Sequence, residues 1–142
     1  MDNFYNLFVP RKIALGLIEL GYDDDICFGY FNEISHKKYS LAPHINENAI
    51  SHIKAPLWQQ AIDFLRNKYK VDIYFQKYFS HTPEGTIEHY DYQVARKDGC
   101  LLCCSMHWED DVPPQITYEE ARKNALENGI ARILDSKMKP YV

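Results

Sequence analysis

The stretch Pro56-Leu-Trp-Gln-Gln-Ala-Ile-Asp-Phe-Leu-Arg-Asn-Lys-Tyr-Lys-Val-Asp-Ile-Tyr-Phe-Gln-Lys-Tyr-Phe79 changes period once, near Lys70. Before Lys70, the residues Trp58, Ala61, Ile62, Leu65 and Tyr69 recur at spacings of three and four, flanked by Leu57 and Phe64. Gln59, Asp63, Arg66 and Asn67 fall opposite them. That is an amphipathic helix, and Pro56 suits its opening turn. After Lys70, Val71, Ile73, Phe75 and Phe79 alternate with Asp72, Tyr74, Gln76 and Tyr78, the period of a strand with one buried face.

The pattern continues towards the C-terminus. The run His81-Thr-Pro-Glu-Gly85 carries the Pro and Gly of a turn. A second strand is predicted over 86–96, with Tyr90, Tyr92 and Val94 alternating against His89, Asp91, Gln93 and Ala95. Asp98-Gly99 is a hairpin signal, and a third strand is predicted over 100–108. Thr117-x-x-Glu120 is a capping box that starts a last helix. Along that helix Ala121, Ala125 and Gly129 recur every four residues. Gly129 costs about 1 kcal/mol against Ala in a helix interior, so its place there implies close packing on the sheet. The order helix–strand–strand–strand–helix over 56–136 predicts an α+β fold, an antiparallel three-stranded meander with helices on one face. The face towards the helices is expected to hold Val71, Ile73, Phe75, Tyr90, Tyr92, Val94, Leu102, Cys104, Met106 and Trp108. The other face then carries Tyr74, Gln76, Tyr78, His89, Asp91, Gln93, Cys103, Ser105 and His107.

Residues 1–41 read as a helix followed by short β segments. Ile13, Leu17 and Leu20, with Ala14 and Ile18 beside them, give the helix, and Gly21 ends it. Residues 26–31 are expected as a strand, with 37–41 pairing back on it. Residues 42–55 have no clear period and read as a loop. At 142 residues the whole is expected to be a single domain, 1–142.

Bulk composition excludes several classes. Hydrophobic residues make up 46% and charged residues 25%, values ordinary for a folded soluble chain. No apolar run approaches the roughly 18 residues of a membrane span. The first residues show no basic-then-apolar signal, so a cytoplasmic setting is expected, with the four cysteines as thiols. Aromatics reach 14%, including 11 Tyr, and Tyr favours half-buried sheet faces and binding surfaces.

Three groups could carry chemistry. Cys100-x-x-Cys103-Cys104-x-x-His107 has the spacing of a zinc site. On a strand, however, alternation sends Cys100 and Cys104 one way and Cys103 and His107 the other, so four ligands cannot converge. His89, Asp91, Cys103 and His107 share the open face and are the candidate catalytic residues: a thiol beside an imidazole and a carboxylate. Asp23-Asp24-Asp25 lacks the alternating oxygens of a calcium loop and reads as a polar turn. No metal and no cofactor is expected.

The element order and the small-residue spacing of the last helix resemble the double-stranded RNA-binding domain. That family grips phosphates with a lysine-rich cluster at the start of this helix. Here the start is Thr117-Tyr118-Glu119-Glu120, and residues 56–137 hold 10 Lys plus Arg against 13 Asp plus Glu, a net of −3. Duplex nucleic acid is therefore not an expected partner. A second resemblance covers nearly the whole chain. Ile18-Glu-Leu-Gly-Tyr-Asp23, Cys27-Phe-Gly-Tyr30, the segment from Ala55 to Tyr69 and Tyr118-Glu-Glu-Ala-Arg122 resemble short uncharacterised proteins of prophages and mobile elements in Bacteroides-type gut bacteria. The resemblance implies a small accessory protein and brings no functional residues with it.

The sequence thus points to a non-enzymatic binding or interaction protein with a protein partner. The expected binding residues are Tyr74, Gln76, Tyr78, Gln93 and His107, on the helix-free face. The alternatives are a small hydrolase or metal-dependent enzyme using His89, Asp91, Cys103 and His107, and single-stranded nucleic acid stacked on Tyr74 and Tyr78.

Overall fold

The computed structural model describes residues 6–35, 38–105 and 117–140. The described elements are α1 (Arg11–Glu19), β1 (Tyr30–Ser35), β2 (Lys38–Ala42), β3 (Ser51–Lys54), α2 (Trp58–Tyr69), β4 (Val71–Thr82), β5 (Gly85–Arg96), β6 (Leu101–Cys104) and α3 (Tyr118–Asp135). The protein is α+β, with two antiparallel three-stranded sheets and three helices among the described residues. It divides into two compact units, Met1–Phe64 and Leu65–Val142, and α2 runs across the division. No described helix is long and apolar enough to cross a membrane.

In the first unit α1 buries Ile13, Ala14 and Leu17. Ile18, expected beside them, is exposed. Gly21 closes the helix at φ +92°, where its N–H bonds the Ile18 carbonyl and the Tyr22 N–H bonds that of Leu17. This pair of bonds satisfies carbonyls that the helix end would otherwise orphan. The sheet order is β2-β1-β3. Two expectations are corrected here. The first strand starts at Tyr30 rather than at residue 26. The stretch 42–55, expected as loop throughout, contains β3, which pairs antiparallel with β1 from Tyr30↔Lys54 to Glu33↔Ser51. Ser-His-Ile-Lys has one apolar residue and no visible alternation, so its backbone pairing had no side-chain signature. The intervening loop is fastened by Asn32, which is fully buried. Its amide donates to the His44 carbonyl at 3.1 Å, and its oxygen accepts from the Asn46 N–H at 3.3 Å.

The helix α2 begins at Trp58, two residues after Pro56. The Gln60 side-chain oxygen accepts the Leu57 N–H at 2.9 Å and so caps the first turn. Ala61 and Leu65 are fully buried and Tyr69 nearly so, as the stripe predicts. Lys70 then turns left-handed at φ +54°, and β4 begins.

In the second unit β4, β5 and β6 form a meander. The β4–β5 hairpin is longer than expected. Its ladder runs from Val71↔Arg96 to Thr82↔Gly85, and only Pro83 and Glu84 lie between the strands. The β5–β6 turn bonds Gly99 N–H to the Arg96 carbonyl and Arg96 N–H to the Cys100 carbonyl, with Gly99 at φ +91°. This is the three-residue hairpin in which a left-handed glycine completes a bulge. The helix α3 packs on β5 and β6. Thr117 Oγ1 accepts the Glu120 N–H at 3.2 Å, the forward bond of the capping box. Ala121, Ala125 and Gly129 are buried. A Cβ built on Gly129 would lie 3.2 Å from Val94 Cγ1, so the glycine does permit close approach.

The helix-facing side holds Val71, Ile73, Tyr92 and Val94, all buried, with Phe75 and Tyr90 half-buried against the Tyr118 ring. Phe79, in phase with them, is 58% exposed. The third strand is described over Leu101–Cys104, and the expected Met106, His107 and Trp108 lie outside the described residues.

Candidate functional site: the helix-free face of the second sheet

Strand pairing assembles this face rung by rung. Tyr74 lies opposite Gln93, Gln76 opposite Asp91 and Tyr78 opposite His89. Paired residues share a side of the sheet, so the alternation that groups these six residues is correct. Their burial is graded along the strands. Tyr74 is 56% exposed and Gln76 and Gln93 are exposed, whereas Tyr78 is half-buried, Asp91 is 9% exposed and His89 only 1%. The face is therefore not uniformly open, as alternation alone implies.

A groove of about 160 Å³ lies on the open end, lined by Tyr74, Phe75, Gln76, Asp91, Tyr92 and Gln93. Asp91 is held in it by Ser105, whose hydroxyl donates to Asp91 Oδ1 at 3.3 Å. The same Ser105 oxygen accepts the Tyr92 N–H at 2.9 Å, while the Ser105 N–H bonds the Tyr92 carbonyl at 3.1 Å. Ser105 thus continues the ladder with its side chain where β6 stops. At the buried end the His89 ring stacks on Tyr78, centroids 5.8 Å apart at 27°. Its Nε2 is 2.9 Å from Ser80 Oγ, and its Nδ1 is buried without a hydrogen-bond partner among the described residues.

Cys103 does not join this group. Alternation counted from residue 100 puts it on the open face, but the register shifts between Val94 and Ala95, leaving Leu102 as the extra residue of a bulge. Cys103 consequently pairs with Val94 on the helix side, and Cys104 pairs with Gln93 on the helix-free side, the reverse of the expected placement. Burial pushes the Cys103 thiol up, partly opposed by the Arg132 guanidinium of α3 and reinforced by Cys104. A raised thiol is the opposite of an activated nucleophile. All four cysteines are free thiols. The expected partner His107 lies outside the described residues. Among the described residues no group of three or more His, Cys, Asp or Glu side chains could hold a metal ion.

The helix side is sealed by its own polar contact. Burial pushes the Tyr92 hydroxyl up, and the Asn128 amide of α3 donates to it at 2.7 Å. Sequence reasoning missed Ser80 as the partner of His89 and Ser105 as the anchor of Asp91. Ser80 shares the even-numbered phase of Tyr74, Gln76 and Tyr78, which was the available signal. Compared with known proteins, the chain matches no family model, no curated protein and no solved structure.

Proposed function

We propose that this is a non-enzymatic binding protein whose helix-free face on β4 and β5 receives a protein partner. The observation that carries the reading is Tyr74, 56% exposed at the edge of a groove that also holds Gln76 and Asp91. A large amphipathic ring held out on a rigid strand, beside a concavity with fixed hydrogen-bonding groups, is the usual form of an interface anchor. Gln76 and Gln93 supply amides on either side of it. A small accessory protein of a mobile element, as the sequence resemblance implies, would use such a face to enter a phage or host complex. The enzymatic alternative loses its nucleophile with Cys103 on the far side of the sheet. Single-stranded nucleic acid is disfavoured because the strands contribute Asp72 and Asp91 to this face and no Lys or Arg, and phosphates require cations.

A photo-crosslinking residue at position 74 tests the reading, compared with one at Glu119, which is exposed on α3. Crosslinking in the native host that is strong from position 74 and absent from 119 is expected. Equal crosslinking from both, or none from 74, refutes it.

A further inference from the structure

We infer that the groove at Asp91 accepts an arginine side chain of that partner. The inference rests on the binding-face reading and gives it a chemistry. Asp91 is more than nine-tenths buried, yet among the described residues its carboxylate has one hydrogen bond, the 3.3 Å bond from Ser105 to Oδ1. Among the described residues its other oxygen has no partner. A buried carboxylate ordinarily gathers several donors or a cation, because desolvating the charge is costly otherwise. The nearby cations do not serve it. Arg66 is engaged with Asp72 at 2.8 Å, and the strands place no Lys or Arg on this face. Asp91 lines the groove, so a cationic ligand seated there can supply the donors that the carboxylate lacks.

The lining selects among cationic ligands. Tyr74 and Asp91 are diagonal neighbours across β4 and β5, a spacing that aromatic and long side chains span. A guanidinium between them would bond the carboxylate with its N–H fork and lie against the Tyr74 ring. Gln76 and Gln93 flank it, and the Gln76 carboxamide oxygen can accept one of the remaining N–H groups. The volume of about 160 Å³ is roughly tenfold what one ordered water needs. An ammonium would satisfy the charge but use neither the planar fork nor the ring as fully.

The test titrates the full-length protein with N-acetyl-argininamide and follows backbone amides by ¹H–¹⁵N NMR. Saturable shifts confined to Tyr74, Gln76, Asp91, Gln93 and their neighbours are expected. The neutral isostere N-acetyl-citrullinamide should bind at least about tenfold more weakly. Asp91→Asn should weaken argininamide by a similar factor. Because Asp91 is buried, Gln93→Lys is the second variant: it sets a cation on the rim at an exposed position and should also block binding. Equal shifts from citrullinamide, no saturable shifts from argininamide, or equal binding of N-acetyl-lysinamide each overturn the inference. The two failures separate. Position 74 crosslinking with no argininamide binding removes the arginine and leaves the interface. Argininamide binding with no crosslink from position 74 removes the protein partner and leaves the cation site.

Discussion

Gly129→Ala puts the contact between α3 and the sheet to a quantitative test. The new methyl would lie 3.2 Å from Val94 Cγ1 and 3.6 Å from Cγ2. Val94 is fully buried, opposite Ile73 on one strand and Cys103 on the other. A β-branched side chain in that position has little rotameric freedom with which to yield. Two effects oppose each other. Alanine gains about 1 kcal/mol over glycine in a helix interior, while overpacking a filled core costs about 1–3 kcal/mol. The single variant should therefore range from neutral to about 2 kcal/mol less stable. Val94→Ala alone removes two methyl groups and should cost about 2–3 kcal/mol. In the double variant the methyl added at position 129 has room, the helix gain is realised and part of the cavity is filled. The double variant should then be more stable than Val94→Ala by about 1 kcal/mol, giving a favourable coupling energy of about 1 kcal/mol or more, in the range seen for residues in contact. Urea unfolding of all four proteins, with midpoints compared at constant m-value, measures the cycle. Additivity within about 0.5 kcal/mol would refute the account of why glycine occupies this position.

Three further perturbations probe other parts of the structure. In the first unit, a Cβ on Gly29 would come within 2.8 Å of Phe8 Cε1, and Phe8 is 4% exposed. Gly29→Ala should cost about 1–3 kcal/mol in urea unfolding, and adding Phe8→Leu should recover part of it; full stability of Gly29→Ala contradicts the packing. Burial, reinforced by Asp24 and Cys27, raises the Tyr22 phenol from 10.0 to about 12. The unfolded chain therefore loses this proton first as pH rises, so the stability contributed is complete below pH 10 and falls away between pH 10 and about 12. Tyr22→Phe should lose less stability over that window, and identical pH profiles would contradict this. Limited alkylation with peptide mapping should modify Cys100, which is exposed, well before Cys103, which is half-buried with its thiol pushed up. Faster reaction at Cys103 would mean that the bulge and the face assignment are wrong.

The second unit was largely legible because its local signals agree with one another. The 3.6-residue stripe from Trp58 to Tyr69, the alternation after Val71, Asp98-Gly99 and the Thr117–Glu120 box each specify one conformation and are mutually compatible. What escaped reading was set by pairing rather than by pattern. Leu101-Leu102-Cys103-Cys104 is apolar throughout, so nothing in it fixes which residues face the helix. The bulge after a left-handed Gly99 decides that, and it reverses the cysteines. Strand β3 is similar, since its ladder to β1 uses backbone groups that every residue possesses. The candidate face was legible to the level of its rungs, Tyr74↔Gln93, Gln76↔Asp91 and Tyr78↔His89. Its burial gradient was not, because alternation assigns a residue to a side of a sheet and carries no information about depth.

That gradient bears on whether the face is functional or only solvated. A sheet face maintained for solubility alone would keep its charged residues at the surface. Here the exposed rung carries Tyr and Gln while the carboxylate is sunk, with a single hydroxyl as partner among the described residues. Burying a charge with so little compensation opposes folding, so Asp91 should not be stabilising the free protein. Asp91→Asn removes the charge, keeps the shape and retains an oxygen for the Ser105 hydroxyl. The variant is expected to unfold in urea at the same concentration as the parent or higher, by up to about 1 kcal/mol, while losing affinity for argininamide. Stability and binding would then move in opposite directions, the trade-off of a residue kept for a ligand. A loss of more than about 1 kcal/mol with m-value unchanged would instead make Asp91 a structural carboxylate whose contact with Ser105 is needed to end β6.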